Sequence, residues 1–186
     1  MWACNYGHKN VVQLLLDHSE RIDLNARINW GEWTAFMMAC KNGHKDVVKL
    51  LLEHSERIDL NARISCGFTA FMLACKYGHK DVVKLLLDHS ERIELNVRSN
   101  NGDTAFMFAC QFGRMDVVKL LLDHPYPEIE LNARNGKSWT GFMNACFLGH
   151  KDVVKLLLKY SKVDINIPES FRLRLSEEIK SLIEMH

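Results

Sequence analysis

Cys40 and His44, Cys75 and His79, and Cys146 and His150 each stand four residues apart. On one helix that spacing would bring a thiol and an imidazole to the same face, a possible ligand pair for zinc. A glycine stands inside every pair, at Gly43, Gly78 and Gly149, and glycine there ends a helix rather than continuing it. The pairs also recur along the chain, and the fourth copy keeps Cys110 but has Arg114 for the histidine. A ladder of pairs is not the convergent cluster that a metal site needs, so these residues read as structural and no metal or cofactor is expected. His18, His54, His89 and His124 form a second ladder at the ends of later helical segments. They suit a helix C-terminus when protonated and also read as structural. No serine or cysteine has a unique setting with a base beside it, so the chain reads as a non-enzyme. Cys66, the thiol outside the ladder, falls on a hairpin tip.

The segments that carry these residues repeat with a period of about 35 residues, starting at Thr34, Thr69, Thr104 and Thr140, with a beheaded copy before them. The stretch from Thr69 to Arg98 shows the unit. Thr69 is a candidate N-cap for a first helix. Phe71, Ala74 and Cys75 fall on one face of that helix, and Gly78 stands where a left-handed C-cap belongs. Val82, Val83, Leu85, Leu86 and Leu87 fill a second helix, with Lys84 and Asp88 four apart on its outside. Ile93 and Leu95 alternate with polar residues and read as a short strand, and Gly67 marks a turn. One unit cannot bury its apolar face alone, whereas stacked units can. Each buried Leu or Val contributes roughly 1.5–3 kcal/mol. The fold class expected is therefore an all-α solenoid with short β-hairpins.

The pattern G-x-T-x-x-x-x-A-x-x-x-G-H-x-D-V-V-K-L-L-L followed by D/E-L-N-A resembles the ankyrin repeat over nearly the whole chain. The family usually has T-P-L-H where this chain has Thr34-Ala35-Phe36-Met37, Thr69-Ala70-Phe71-Met72, Thr104-Ala105-Phe106-Met107 and Thr140-Gly141-Phe142-Met143. Bulk and dispersion thus replace the family's proline and its polar histidine tie. The loop after the second helix is longer than the family's, with Ser19, Ser55 and Ser90 near the family's glycine. Such T-A-F-M repeats resemble those of large DNA viruses and protists. The stack expected is a truncated first repeat (1–28), four full repeats (29–64, 65–99, 100–135 and 136–168) and a C-terminal cap (169–186). In the cap, Ile179, Leu182 and Ile183 make one apolar stripe after Ser176-Glu177-Glu178. A rival reading compares Leu175–Ile179 with the opening of an F-box, but too few residues follow it.

The 186 residues carry 24 Lys and Arg against 23 Asp and Glu, a net charge of +1. No basic excess points to nucleic acid. No apolar run approaches a membrane span, and the N-terminus has no signal-peptide layout. The default is an intracellular, cytoplasmic protein. Cys4, Cys40, Cys75, Cys110 and Cys146 recur with the repeat. Stacked helices lie about 8–10 Å apart, too far for disulfides, which need Cα atoms within about 7 Å. Met1 aligns with Met37, so the first copy lacks the start of its inner helix, and the leading edge is expected to be frayed or sticky. Three explanations stand: an imposed boundary, an upstream stretch of the same gene, or a true edge used for association. The first two are favoured because solenoids need capping repeats. The chain is expected to be a monomer unless that edge associates.

Function should lie where the copies differ. The family resemblance places a protein partner on the hairpin tips and the concave inner-helix face. That points to Trp30, Trp33, Phe68, Asp103 and Trp139 at the tips, and to Lys41, Asn42, Lys76, Tyr77, Gln111, Phe112, Phe147 and Leu148 at the helix ends. Aromatic and arginine side chains most often dominate such interfaces. Trp33, Phe68 and Trp139 have an equal alternative in packing over the neighbouring hairpin. Trp30 stands out, since no other copy inserts a residue there, and Trp30→Ala is expected to leave stability within about 0.5 kcal/mol. Arg27, Arg63, Arg98 and Arg134 recur after the strand and offer a rail for an acidic partner segment. A solvated ladder paired with acids such as Asp59 or Glu94 is preferred. Tyr126 between two prolines reads as an ordinary loop. The function expected is protein–protein interaction. The alternative is a substrate-recruiting adaptor fragment of a longer protein, such as a ubiquitin-ligase adaptor.

Overall fold

The computed structural model describes residues 1–18, 22–28, 31–124 and 129–185. The described helices run in pairs. They are α1 Trp2–Asn5 and α2 Lys9–Asp17, α3 Ala35–Lys41 and α4 Lys45–Leu52, α5 Ala70–Tyr77 and α6 Lys80–Leu87, α7 Ala105–Gln111 and α8 Met115–Asp123, and α9 Gly141–Phe147 and α10 Lys151–Leu158. Two further helices close the order, α11 Glu169–Arg172 and α12 Glu177–Glu184. The inner helices α1, α3, α5, α7 and α9 pack in sequence, and the outer helices α2, α4, α6, α8 and α10 pack in a parallel row. Helix α12 covers the end of the outer row against α10.

Each inner helix after α1 starts where its threonine caps it. Oγ1 of Thr34, Thr69, Thr104 and Thr140 accepts the backbone N–H of Met37, Met72, Met107 and Met143 at 3.2, 3.3, 3.3 and 3.2 Å. Such a bond satisfies an amide that has no intrahelical partner. Gly78 ends α5 in the left-handed region, with φ 80°. The Phe and Met of the T-A-F-M sentence form the spine of the stack. Phe36, Phe71, Phe106 and Phe142 are each no more than 2% exposed, so the family's polar tie has been exchanged for packed rings. Cys40, Cys75, Cys110 and Cys146 line the same core as free thiols. Burial raises their pKa values, that of Cys146 to about 12, because the charged thiolate is poorly solvated there.

The strands expected around Ile93–Leu95 and Val163–Ile165 do not form. Both pairs turn inward or lie against the core, but the backbone there is bent and irregular instead of forming a ladder. Each hairpin is closed by a backbone bond from the N–H of Ile28 to Trp33, Ile64 to Phe68, Ser99 to Asp103 or Asn135 to Trp139, with a second bond inside the turn returning to the first residue's carbonyl. Side chains replace the missing ladder. Asn61 donates its Nδ2 to the Arg92 carbonyl at 3.0 Å and accepts the Glu94 N–H at 2.9 Å. Asn25 does the same to Arg57 and Asp59, and Asn132 to Lys162 and Asp164. The asparagine of the L-N-A sentence thus staples each loop to the next copy.

The histidines of the G-H pairs are staples too. Their Nε2 lies 2.8 Å (His44), 2.7 Å (His79) and 2.8 Å (His150) from the carbonyls of Asn5, Lys41 and Gln111. Each of these carbonyls closes the preceding inner helix, where acceptors lack intrahelical donors. Arg114 takes the same role, its Nε donating to the Lys76 carbonyl at 3.0 Å. Cysteine and histidine of one pair therefore serve different tasks, one in the core and one at the neighbouring copy. His18 and His89 bond through Nδ1 to the carbonyls of Leu14 and Leu85, in the last turn of their own helices.

At the C-terminus Ser176 caps α12 and Ile179 is fully buried, with Leu182 and Ile183 packed beside it. Helix α11 was not legible as a separate element. Its Phe171 is buried against Trp139 and Phe147. The expected Lys84–Asp88 pairing gives way to ion pairs between outer helices, Lys45–Asp81 and Lys80–Asp116, at 3.8 and 3.9 Å. Exposed pairs of that kind contribute about 0–1 kcal/mol each.

Candidate interaction face

The hairpin tips and the ends of the inner helices lie side by side because every copy turns back at the same point. Each tip residue directly precedes a capping threonine, so it stands over the start of an inner helix. Phe68 reaches across to the next copy, its ring 4.7 Å from that of Phe108. Trp139 lies 5.0 Å from Phe147 and meets Phe171 edge-on at 5.1 Å. Trp33, Phe68 and Trp139 are all partly buried against the core. They pack, and they keep part of each ring open. Trp30, Ser19 and Tyr126 lie outside the described residues.

Cations sit over these rings. Lys41 Nζ is 5.0 Å from the Trp33 ring centre and 5.7 Å from that of Tyr77. Lys76 Nζ is ringed by Phe68 at 5.0 Å, Phe112 at 5.0 Å, Phe108 at 5.8 Å and Tyr77 at 5.9 Å. The Arg174 guanidinium lies 5.0 Å from Phe147. A cation over an aromatic face is attracted by the ring quadrupole, which helps to hold each cluster in place. Sequence reasoning missed Phe171 and Arg174, because nothing in the cap's own pattern says that it folds back to the fifth hairpin.

Exposure rises at the helix ends. Tyr77, Phe112, Phe147 and Leu148 are 41, 38, 37 and 48% exposed, and together they form an apolar ledge along the face. Asn42 is tied to the preceding copy through bonds to Asn5. Gln111, Asp103 and Trp139 line a polar cavity near the fifth hairpin.

The arginine rail has other partners than Asp59 and Glu94. Arg27 donates to the Arg63 carbonyl at 3.1 Å, Arg63 to the Arg98 carbonyl at 2.6 Å, and Arg98 to the Arg134 carbonyl at 2.8 Å. Their acidic neighbours are Glu32 for Arg27, Glu130 for Arg98 and Asp164 for Arg134, at 3.4, 3.0 and 3.5 Å. Each guanidinium thus bridges copies along the loop row while remaining accessible.

Among the described residues no three of His, Cys, Asp and Glu come together in a way that could hold a metal ion. No described helix is long and apolar enough to cross a membrane. The family model described as ankyrin repeats (3 copies) matches residues 1–64, 56–135 and 91–169. Those spans take in most of the chain, and the chain belongs to the ankyrin-repeat family. Repeats of this family are generally protein-interaction modules and typically non-catalytic. A comparison with curated proteins gives no match.

Proposed function

We propose that this chain is a non-catalytic module that holds a protein partner on the face built from its hairpin tips and inner-helix ends. The observation that carries this reading is the ledge of Tyr77, Phe112, Phe147 and Leu148, each more than a third exposed beside rings already steadied by Lys41, Lys76 and Arg174. Grouped exposed aromatic surface of this kind is the usual mark of a binding site. Trp33, Phe68 and Trp139 form its floor and contribute their open edges. Gln111 supplies a polar contact among them. Arg27, Arg63, Arg98 and Arg134 act chiefly within the stack.

The test is selection of binders from a displayed library of protein fragments, followed by affinity measurement on two chains. One is the wild type, the other carries Tyr77→Ala and Phe112→Ala, both checked for folding by circular dichroism. Loss of binding by at least tenfold in the folded variant supports the face. Unchanged binding of every selected fragment moves the site elsewhere on the chain.

A further inference from the structure

The face changes character between the fourth and fifth copies, and three columns change together. Counted from the capping threonine, the tips read Trp33, Phe68, Asp103 and Trp139. The inner-helix column reads Met38, Leu73, Phe108 and Asn144, and the helix-end column reads Lys41, Lys76, Gln111 and Phe147. Phe68 and Phe108 meet across copies three and four. One copy further on, Asp103 and Asn144 hold the same two positions. In place of packed rings there is a cavity of about 800 Å³, lined among others by Asp103, Gln111, Asn135, Lys137, Trp139 and Asn144.

Asn144 is 5% exposed. Its Nδ2 is the one buried side-chain polar atom without a hydrogen-bond partner among the described residues. A buried donor left unpaired is costly and rare in folded proteins, and an acceptor entering the cavity, from water or from a ligand, would satisfy it. Asp103 is buried as well. Its Oδ1 accepts from Asn135 Nδ2 at 2.7 Å, and its backbone N–H donates to Ser99 Oγ at 3.1 Å. Neither bond uses Oδ2.

These groups choose among ligands. An anion would meet the Asp103 carboxylate, and a cation would meet Lys137 and Arg98, which also line the cavity. A neutral group that both accepts and donates meets no such opposition. A primary carboxamide is that group: its carbonyl accepts from Asn144 Nδ2–H, its NH₂ donates to Asp103, and its methylene stem lies on Trp139. An amide facing Asn144 also satisfies it in either orientation of the side chain. We propose that the cavity is a subsite for the side-chain carboxamide of a glutamine or asparagine carried by the protein partner. The proposal rests on the reading of this face as the partner-binding one.

The test titrates the full chain with N-acetylglutamine N-methylamide and follows the Trp139 indole N–H and the Asp103 and Lys137 backbone N–H resonances, all at the cavity, by ¹H–¹⁵N NMR. Two probes serve as controls. N-acetylnorleucine N-methylamide has the same main chain without the amide, and N-acetylglutamate N-methylamide exchanges amide for carboxylate. The expected result is a saturable shift with the glutamine probe alone, abolished in Asn144→Leu, which restores the residue type of Leu73. Asp103→Asn, which keeps the shape and removes the charge, is expected to weaken the probe severalfold and provides the answer if Asn144→Leu does not fold. An equal shift with the norleucine probe, or none with the glutamine probe up to its solubility limit, overturns the subsite. If the probe fails while fragment binding still depends on Tyr77 and Phe112, the subsite alone falls. If fragment binding is also indifferent to those residues, the face falls with it.

Discussion

The ammonium of Lys76 stands 5.0 Å from the ring centre of Phe112, one copy further along the stack, and three more rings surround it. A lysine at the end of one inner helix is thereby tied to the next. Solvent-accessible cation–ring contacts are worth about 0.5–1 kcal/mol. A double-mutant cycle with Lys76→Met and Phe112→Leu, read by urea unfolding, is expected to give a coupling of about that size. A coupling indistinguishable from zero would mean that the cluster is a packing coincidence.

Gly113 and Gly149 occupy the same position in copies four and five, and both have positive φ, 63° and 73°. A Cβ on Gly113 would lie 2.6 Å from Nδ1 of His150, whereas one on Gly149 meets nothing within 4 Å. Alanine in the left-handed region costs roughly 1–2 kcal/mol. Gly149→Ala is expected to cost that alone, and Gly113→Ala measurably more, since the His150 staple must move. Equal losses by thermal unfolding would show that the imidazole yields freely.

Gly141 stands where the other copies have Ala35, Ala70 and Ala105. Alanine is favoured over glycine in a helix by about 1 kcal/mol. Here its Cβ would come within 2.9 Å of the Phe106 ring and 3.1 Å of Cys110 Sγ. Gly141→Ala is therefore expected to destabilise despite the helix preference, because a packed ring in the core has little room to yield. A gain in midpoint denaturant concentration would refute this.

Cys66 is exposed and the other five cysteines are buried. Alkylation of the folded chain near neutral pH is expected to label one thiol rapidly and the rest only on unfolding, as counted by mass spectrometry. The raised pKa values also fix the sign of a pH effect. The unfolded thiol loses its proton near the ordinary value of 9.0, while folded Cys75 keeps its proton well above it. Its contribution is complete below pH 9 and is lost as pH rises, by up to about 1.4 kcal/mol per pH unit. Cys75→Ala should flatten the alkaline fall in stability relative to wild type, and parallel curves would contradict the assignment.

Asn61 makes two bonds to the next loop, at 3.0 and 2.9 Å. Each intramolecular hydrogen bond contributes about 0.5–1.5 kcal/mol net. Asn61→Ala is expected to cost about 1–3 kcal/mol, and Asn61→Asp, which keeps only the acceptor, an intermediate amount. Hydrogen exchange at the Glu94 amide should quicken in both, most in the alanine variant.

The period of the threonines, the helical spacing of Phe71, Ala74 and Cys75 and the Val-Leu runs determined the repeat, its two helices and its buried face by themselves. These are local patterns: the same residues recur at the same offsets, and a helix of given period has only one apolar side. What faces what across copies was decided by the tertiary structure. The Asn61 staple, the His79 bond to Lys41 and the arginine staircase all join residues more than thirty positions apart, and their geometry depends on the rise from one copy to the next. The same is true of the face. Trp33, Phe68 and Trp139 were legible as aromatic tips, but only stacking shows that they also serve as floor to neighbouring rings. Asn144 stands in a column that holds Met38, Leu73 and Phe108 in the other copies. That its amide is buried, unpaired and set beside Asp103 follows from the approach of two copies, which no single repeat encodes.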